Sequence, residues 1–399
     1  MKYIVILADG MADYPVEALA GKTPMEVAKK PMMDALSEKG TQYLVKTVPD
    51  DLKPGSDVAN LTVMGFNTKE VYTGRSPLEA ASIGVSLSVS ETSFRANLVS
   101  LSGEGNYEDL TMLDYSAGEI STEEARELIA TLQEKLVFPG FSLYAGISYR
   151  HLLVWDNAGD IGTLTPPHDI SDRPVRTYLP TCPEILKIME ESRKILRDHP
   201  VNIKRREKGL RTADSLWVWG EGKKPGLPAF YDVYGKKGAV ISAVDLIRGI
   251  GFLAGMEVID VPGVTGNVDT NFEGKAEAAI KTLLNDGNDF VYVHMEAPDE
   301  CGHRGEAENK VLSIELIDKL VVSPIVKALE EAGEAFRMLI LPDHPTPISI
   351  KTHARDAVPC LFYDSEKPAS GKPVFTEESA KDGAFIDPGY TLMKSFLEA

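Results

Sequence analysis

A doubly wound, mainly parallel α/β sheet interrupted by a smaller α/β insertion is the fold class that the sequence predicts, and three observations predict it. Several apolar, β-branched runs stop abruptly at acidic or histidine residues. Amphipathic helical patterns lie between such runs in the C-terminal half. The middle of the chain changes character and reads as a unit of its own.

The first run, Tyr3 to Ala8, ends at Asp9; Phe290-Val291-Tyr292-Val293-His294 leads to Asp299, and Met338-Leu339-Ile340-Leu341 leads to Asp343-His344. A strand buried on both faces has no polar side to show, so it appears as a continuous apolar run rather than an alternating one. Lys275 to Leu284 places Ala276, Ala279, Ile280 and Leu283 on one helical face, and Val311 to Leu329 is a longer amphipathic stretch. These supply the crossovers of a doubly wound sheet. Ligands of such sheets bind beyond the carboxyl ends of the strands, which is where the polar residues ending the runs fall.

In the middle, Ser121-Thr122-Glu123-Glu124 is a capping box opening a helix with Ala125, Leu128, Ile129, Leu132 and Leu136 inward, stopped by Pro139-Gly140. Strand-like text flanks it at Ala96 to Val99 and from Tyr149 to Trp155, and the Pro-rich Thr165-Pro166-Pro167-His168 follows. The expected division is a main domain of residues 1–90 and 210–399 and an inserted domain of residues 91–209. No internal repeat or low-complexity segment interrupts either.

A chain of 399 residues with 43% hydrophobic and 26% charged residues has ample material for two ordered domains. The apolar run at the N-terminus is too short for a signal peptide and no stretch is long enough to span a bilayer, so the expected compartment is the cytoplasm. Cys182, Cys301 and Cys360 lie far apart without CxxC spacing, which argues against a disulfide framework and a thiolate zinc site. A net charge of -18 opposes nucleic acid and anionic membranes as partners. A small anionic substrate is compatible with it, because bound divalent cations reverse the local field of a carboxylate-lined site. Assembly into a homo-oligomer stands open.

Seven positions carry metal-ligand chemistry: Asp9, Ser56, Asp299, His303, Asp343, His344 and His353. Imidazole together with carboxylate suits Mn²⁺ or Zn²⁺ over Mg²⁺. The Asp299-xxx-His303 spacing brings both side chains to one face of a helical turn. Taken singly, a strand-end aspartate is usually a cap or turn residue and a DxxxH pair usually a solvated helix face. Three separate strand ends supplying the same ligand chemistry outweigh those readings. Ser56, in Pro54-Gly55-Ser56-Asp57-Val58-Ala59-Asn60-Leu61, reads alone as a helix N-cap; beside metal ligands it reads as a nucleophile, because a helix N-terminus stabilises an arriving phosphoryl group.

Ala8-Asp9-Gly10, Gly55-Ser56-Asp57, Pro298-Asp299 with Gly302-His303, Pro342-Asp343-His344-Pro345 and Thr352-His353 together resemble, in kind and order, the metal-site signature of the alkaline phosphatase superfamily. Gly74-Arg75-Ser76-Pro77-Leu78-Glu79-Ala80, Ser148-Tyr149-Arg150-His151, Trp217-Val218-Trp219-Gly220 and Ile241-Ser242-Ala243-Val244-Asp245-Leu246 resemble the archaeal-type cofactor-independent phosphoglycerate mutases. The resemblance implies a glycolytic and gluconeogenic isomerase needing two divalent metals and no bisphosphoglycerate. One metal would be held by Asp299, His303 and His353 and the other by Asp9, Ser56, Asp343 and His344. Ser56 would carry the phosphoryl group between the hydroxyls of a small phosphorylated hydroxy acid, through a phosphoserine intermediate. The insertion resembles the family's cap domain, whose closure would exclude water. Arg75, Arg150, His151, His168 and Arg173 lie in or next to it and are the candidates for clamping a carboxylate or phosphate.

Two other activities share much of this chemistry. A phosphatase or phosphodiesterase would let water attack phospho-Ser56, against which the large insertion argues. A homoserine kinase-like phosphotransferase would need a nucleotide donor, yet the chain has no GxxxxGK[ST] loop. A metal-stabilised binding module would leave the nucleophile position incidental, and activity lost on chelation and regained with metal separates it from an enzyme.

Overall fold

The computed structural model describes residues 1–102 and 105–398. The chain divides into two compact units, one of Met1–Tyr72 with residues 226–398 and one of Thr73–Pro225. Strands β1 (Lys2–Ala8) and β2 (Thr41–Val45) precede the inserted unit. Within it lie β3 (Glu91–Ser102), β4 (Thr111–Asp114), β5 (Phe141–Tyr144), β6 (Arg150–Asp156) and β7 (Ser215–Lys223). After it come β8 (Gly238–Ile241), β9 (Glu257–Ile259), β10 (Phe290–Met295), β11 (Phe336–Leu341), β12 (Val358–Asp364) and β13 (Ala384–Ile386).

The first unit is built on an eight-stranded sheet in the order β13-β2-β12-β11-β1-β10-β8-β9. β1, β8, β9, β10 and β11 are parallel, whereas β12 runs antiparallel to both its neighbours. The sheet is mainly parallel and wound with helices on both faces, as the apolar runs require. On one face Ile4, Ile6 and Ala8 pack with Val291, Val293 and Met295 beneath Ala276, Ala279, Leu283, Ile314 and Ile317. On the other, Tyr3 meets the edge of Phe396 and Phe290 packs on Phe230. Each Val, Leu, Ile, Met or Phe side chain so buried contributes about 1.5–3 kcal/mol relative to exposure.

The helix expected over 275–284 spans Phe272–Leu284. The amphipathic stretch expected over 311–329 is not one α-helix. Ala307–Ile317 and Ser323–Glu331 are α-helical, and a π-helical turn, Asp318–Val322, joins them. Pro324 explains the break, since its ring denies an amide to the preceding turn and crowds the carbonyl behind it.

The second unit is α/β with an antiparallel sheet: β3 pairs with β4, β6 and β7, and β5 pairs with β6. Helix Thr122–Lys135, capped by Ser121, buries Ala125, Leu128, Ile129 and Leu132; helix Pro183–Leu196 adds Ile185, Ile188 and Met189 to the same core. The expected limits, 91 and 209, fall inside this unit. Helix Ser76–Ser82 packs on the sheet through Ala80 against Leu152 and Val154, and β7 pairs along most of β3, so both belong with the insertion. Cys182, Cys301 and Cys360 are buried free thiols. Among the described residues no helix is long and apolar enough to cross a membrane.

Candidate metal centre

All seven expected ligands belong to the first unit. β1 delivers Asp9, whose amide donates to Met295 O (2.9 Å) and so continues the β1–β10 pairing by one residue. β10 runs into helix Ala297–Arg304, which carries Asp299 and His303 one turn apart; β11 runs into Asp343 and His344. Two groups of donor atoms result, Asp9 with Asp343 and His344, and Asp299 with His344 and His353, the atoms of each lying within 4.8 Å of one another. His344 belongs to both. His303 Nε2 is 3.2 Å from Asp299 Oδ2 and 3.0 Å from His353 Nε2, so it joins the second group's edge.

Ser56 is the first residue of helix Ser56–Val63, not its cap; Gly55 holds that position. Its Oγ lies 3.2 Å from His344 Nε2. The helix fixes a second polar side chain one turn on, where Asn60 Nδ2 donates to Asp343 Oδ2 (2.9 Å) and to Ser56 O (2.8 Å). Tyr292 OH in turn donates to Asn60 Oδ1 (2.6 Å). Asp343 Oδ1 accepts from the amides of His344 (2.9 Å) and Gly10 (3.2 Å). Thr346 Oγ1 donates to Asp299 Oδ1.

The site is crowded to the point of excluding side chains. Gly10 has φ +63°, and a Cβ there would stand 2.6 Å from Thr346 Oγ1 and 2.7 Å from Asp299 Cα. Gly302, one residue before His303, would place a Cβ 2.4 Å from Thr346 O. Only glycine lets the two ligand-bearing segments approach this closely.

The electrostatics ask for cations. Burial, followed by the charges of Asp343 and Asp299, pushes the Asp9 carboxyl well above the usual range, and Asp9 Oδ1 is buried without a hydrogen-bond partner. Burial would also raise Asp299, but hydrogen bonds from His303 and His353 outweigh it and hold that carboxyl well below its ordinary value. The Asp299 hydrogen bond lifts His303 to about 9, while burial lowers His344. Clustered carboxylates, imidazoles and an orphaned oxygen are a donor set that divalent cations fit.

The candidate anion-binding residues lie in the second unit and separate into two kinds. Arg75 Nε pairs with Glu79 (2.9 Å), and Arg150 lies over the Tyr149 ring (5.5 Å). His168 packs edge-on against Trp219 and Tyr115, and the exposed Arg173 faces Tyr178. His151 differs. It is 4% exposed, its Nδ1 accepts from the Gly146 amide (3.1 Å), and burial pushes its pKa down to about 3. A neutral, enclosed imidazole offers no charge to an anion, which sets His151 apart from the arginines. Arg95, which the sequence reading passed over, pairs with Glu79 (3.0 Å) and lies 4.2 Å from the centre of the Trp219 ring.

Sequence reasoning also missed His294, Asn60 and Thr346. The i,i+4 spacing of Ser56 and Asn60 was an available signal, and it does not distinguish a site residue from a structural one.

A family model described as 2,3-bisphosphoglycerate-independent phosphoglycerate mutase matches residues 37–202. The chain is 49% identical to the 2,3-bisphosphoglycerate-independent phosphoglycerate mutase of Methanosarcina barkeri and 47% identical to that of Methanothrix thermoacetophila, covering 96% of both chains in each case. Among solved structures it is similar to the PH0037 protein of Pyrococcus horikoshii (TM-score 0.83, 26% identity, 100% of this chain and 96% of that one). It is also similar to a cofactor-independent phosphoglycerate mutase of Thermoplasma acidophilum (TM-score 0.68, 26% identity, 100% and 99%).

Proposed function

Because the chain belongs to the 2,3-bisphosphoglycerate-independent phosphoglycerate mutase family, we propose that Ser56 is its phosphoryl carrier and that Asp9, Asp299, His303, Asp343, His344 and His353 hold two divalent cations beside it. The enzyme interconverts 3-phosphoglycerate and 2-phosphoglycerate. The observation that carries the site assignment is the position of Ser56 Oγ, at a helix N-terminus and 3.2 Å from His344 Nε2, which belongs to both donor groups.

In the first half-reaction Ser56 Oγ forms a bond to phosphorus as the bond from phosphorus to the 3-oxygen of the substrate breaks, leaving glycerate and phospho-Ser56. In the second, the 2-hydroxyl attacks that phosphorus and Ser56 leaves. The amides at the start of helix Ser56–Val63 face the charge that arrives on Ser56. Bound cations would ionise the Ser56 hydroxyl and offset charge on the entering and leaving oxygens. Asn60 and the Gly10 and His344 amides keep Asp343 oriented. Mixed imidazole and carboxylate donors favour Mn²⁺ or Zn²⁺ over Mg²⁺. Arg75, Arg95 and Arg150 are proposed to recognise the substrate's carboxylate or phosphate, with His168 and Arg173 as further candidates.

A coupled assay of 3- to 2-phosphoglycerate conversion, run without bisphosphoglycerate and alongside free-phosphate and homoserine-phosphorylation assays, tests this reading. Isomerisation lost on chelation and restored by Mn²⁺ is expected. Phosphate release or homoserine phosphorylation in place of isomerisation would overturn it.

A further inference from the structure

One buried ionisable cluster in the first unit contains no expected ligand. His294, 0% exposed, sits on β10 between two residues that belong to the apolar core. Its Nδ1 is 2.9 Å from Glu296 Oε1 and 3.2 Å from Ser242 Oγ. Glu296 Oε1 also accepts from Ser242 Oγ and the Ala243 amide, both at 3.0 Å. Glu296 Oε2 meets Lys275 Nζ at 2.9 Å, and that ammonium donates to His294 O as well (2.7 Å). Lys275, itself 0% exposed, comes from helix Phe272–Leu284. Placing a lysine and a glutamate in an apolar core costs several kcal/mol per ion before pairing. Stability alone gives no reason to keep such a cluster here.

The free end of the chain of contacts points at a metal ligand. His294 Nε2 lies 3.1 Å from Asp9 Oδ2, yet it makes no aligned hydrogen bond and has no other partner. The other carboxylate oxygen, Asp9 Oδ1, faces His344 Nε2 at 3.8 Å and is also unpartnered. The two oxygens of Asp9 are therefore divided between the imidazole on one side and the donor group on the other. We propose that His294, anchored by Glu296 and Lys275, is the positioning residue for Asp9, its Nε2 standing 3.1 Å from Oδ2 and limiting how the carboxylate can turn, so that Oδ1 is presented to a cation. Outer contacts of this kind set the angle at which a ligand meets its metal, and their loss costs about ten- to a hundredfold in affinity. The inference rests on the ligand assignment proposed above and goes beyond it, since neither His294, Glu296 nor Lys275 touches the reacting atoms.

The test is Mn²⁺ titration calorimetry on metal-stripped full-length protein, wild type against His294→Gln, with the d–d bands of Co²⁺ as a spectroscopic reporter. The wild type is expected to take up two ions, and His294→Gln to bind one of them about ten- to a hundredfold more weakly. His353→Ala, which removes a donor from the other group, identifies by its bands the ion that His294→Gln leaves unchanged. Should His294→Gln not fold, Glu296→Gln keeps the shape and releases the imidazole from its anchor, and is expected to show the same selective weakening. Wild-type protein that binds no Mn²⁺ would overturn the metal reading and this inference with it. Two ions bound normally by wild type, together with unchanged or equally weakened binding of both by the variant, would overturn the inference alone.

Discussion

Ser56 Oγ and His344 Nε2 stand 3.2 Å apart although 288 residues of chain separate them. The contact joins the start of a helix to the loop that leaves β11, and it places the hydroxyl against the side chain common to both donor groups. Since Gly55 and not Ser56 occupies the cap position, the hydroxyl does no capping work for the helix. Ser56→Ala is therefore expected to change stability by less than about 1 kcal/mol while abolishing isomerisation. Thermal melts, turnover and mass spectrometry of substrate-quenched protein read the three parts. A variant that still isomerises at a near-normal rate would refute the assignment.

Gly10→Ala should damage both the fold and the site. The left-handed backbone alone costs roughly 1–3 kcal/mol for a residue with a Cβ, and the added carbon would collide with Thr346 and the Asp299 backbone. Denaturant unfolding should register at least that loss, and Mn²⁺ binding should weaken in parallel. An alanine variant as stable as wild type would mean that the two ligand-bearing segments are free to part.

Lys310 and Asp13 form a second buried pair, 2.7 Å apart with both side chains 0% exposed, and Lys310 Nζ also donates to Thr346 O (2.9 Å). Lys310→Met leaves a buried carboxylate without its cation, so a loss of about 3–5 kcal/mol is expected. Adding Asp13→Asn should recover part of it, because the uncompensated charge, rather than the missing bond, dominates the cost. Equal losses in single and double variants, measured by urea unfolding, would contradict this account.

His151 predicts a pH dependence confined to the inserted unit. Its folded value, about 3, lies below the ordinary 6.5, so the unfolded chain takes up a proton that the folded unit refuses. The associated stability is complete above pH 6.5 and is lost as pH falls toward 3, at about 1.4 kcal/mol per pH unit, or about 2 kcal/mol between pH 7 and pH 5. Trp155, Trp217 and Trp219 are the chain's three tryptophans and all lie in this unit, so fluorescence-detected melts report on it selectively. His151→Gln should flatten the dependence; identical slopes in variant and wild type would rule out His151 as its source.

The parallel sheet was legible because strands buried on both faces leave no room for polar residues until they end, so Asp9 and Asp343 announce both the strand end and the site. The same rule concealed His294, which sits inside a run that reads as strand and whose partners, Glu296 and Lys275, arrive from other elements. Arg150 and His151 are neighbours on β6, yet Arg150 is exposed as the first residue of the strand and burial begins at His151. The compact units divide at 225 and not at the expected 209 because β7 pairs with β3 up to Lys223, and Lys224-Pro225-Gly226-Leu227-Pro228 then carries the turn composition of a boundary. Pro324, inside an otherwise helical pattern, was the overlooked sign of the π-turn.

The central position of β1 bears on how the protein is made. Its two neighbours in the sheet, β10 and β11, follow it in the chain only at residues 290 and 336. At about 5–20 residues per second, the run Ile4-Val5-Ile6-Leu7 waits on the order of 15–60 s for a strand to pair with. The inserted unit, whose strands all come from one continuous segment, is finished well before then. A nascent chain of this enzyme therefore carries a completed second unit while β1 is still unpaired, and that apolar run is what a ribosome-associated chaperone would have to protect.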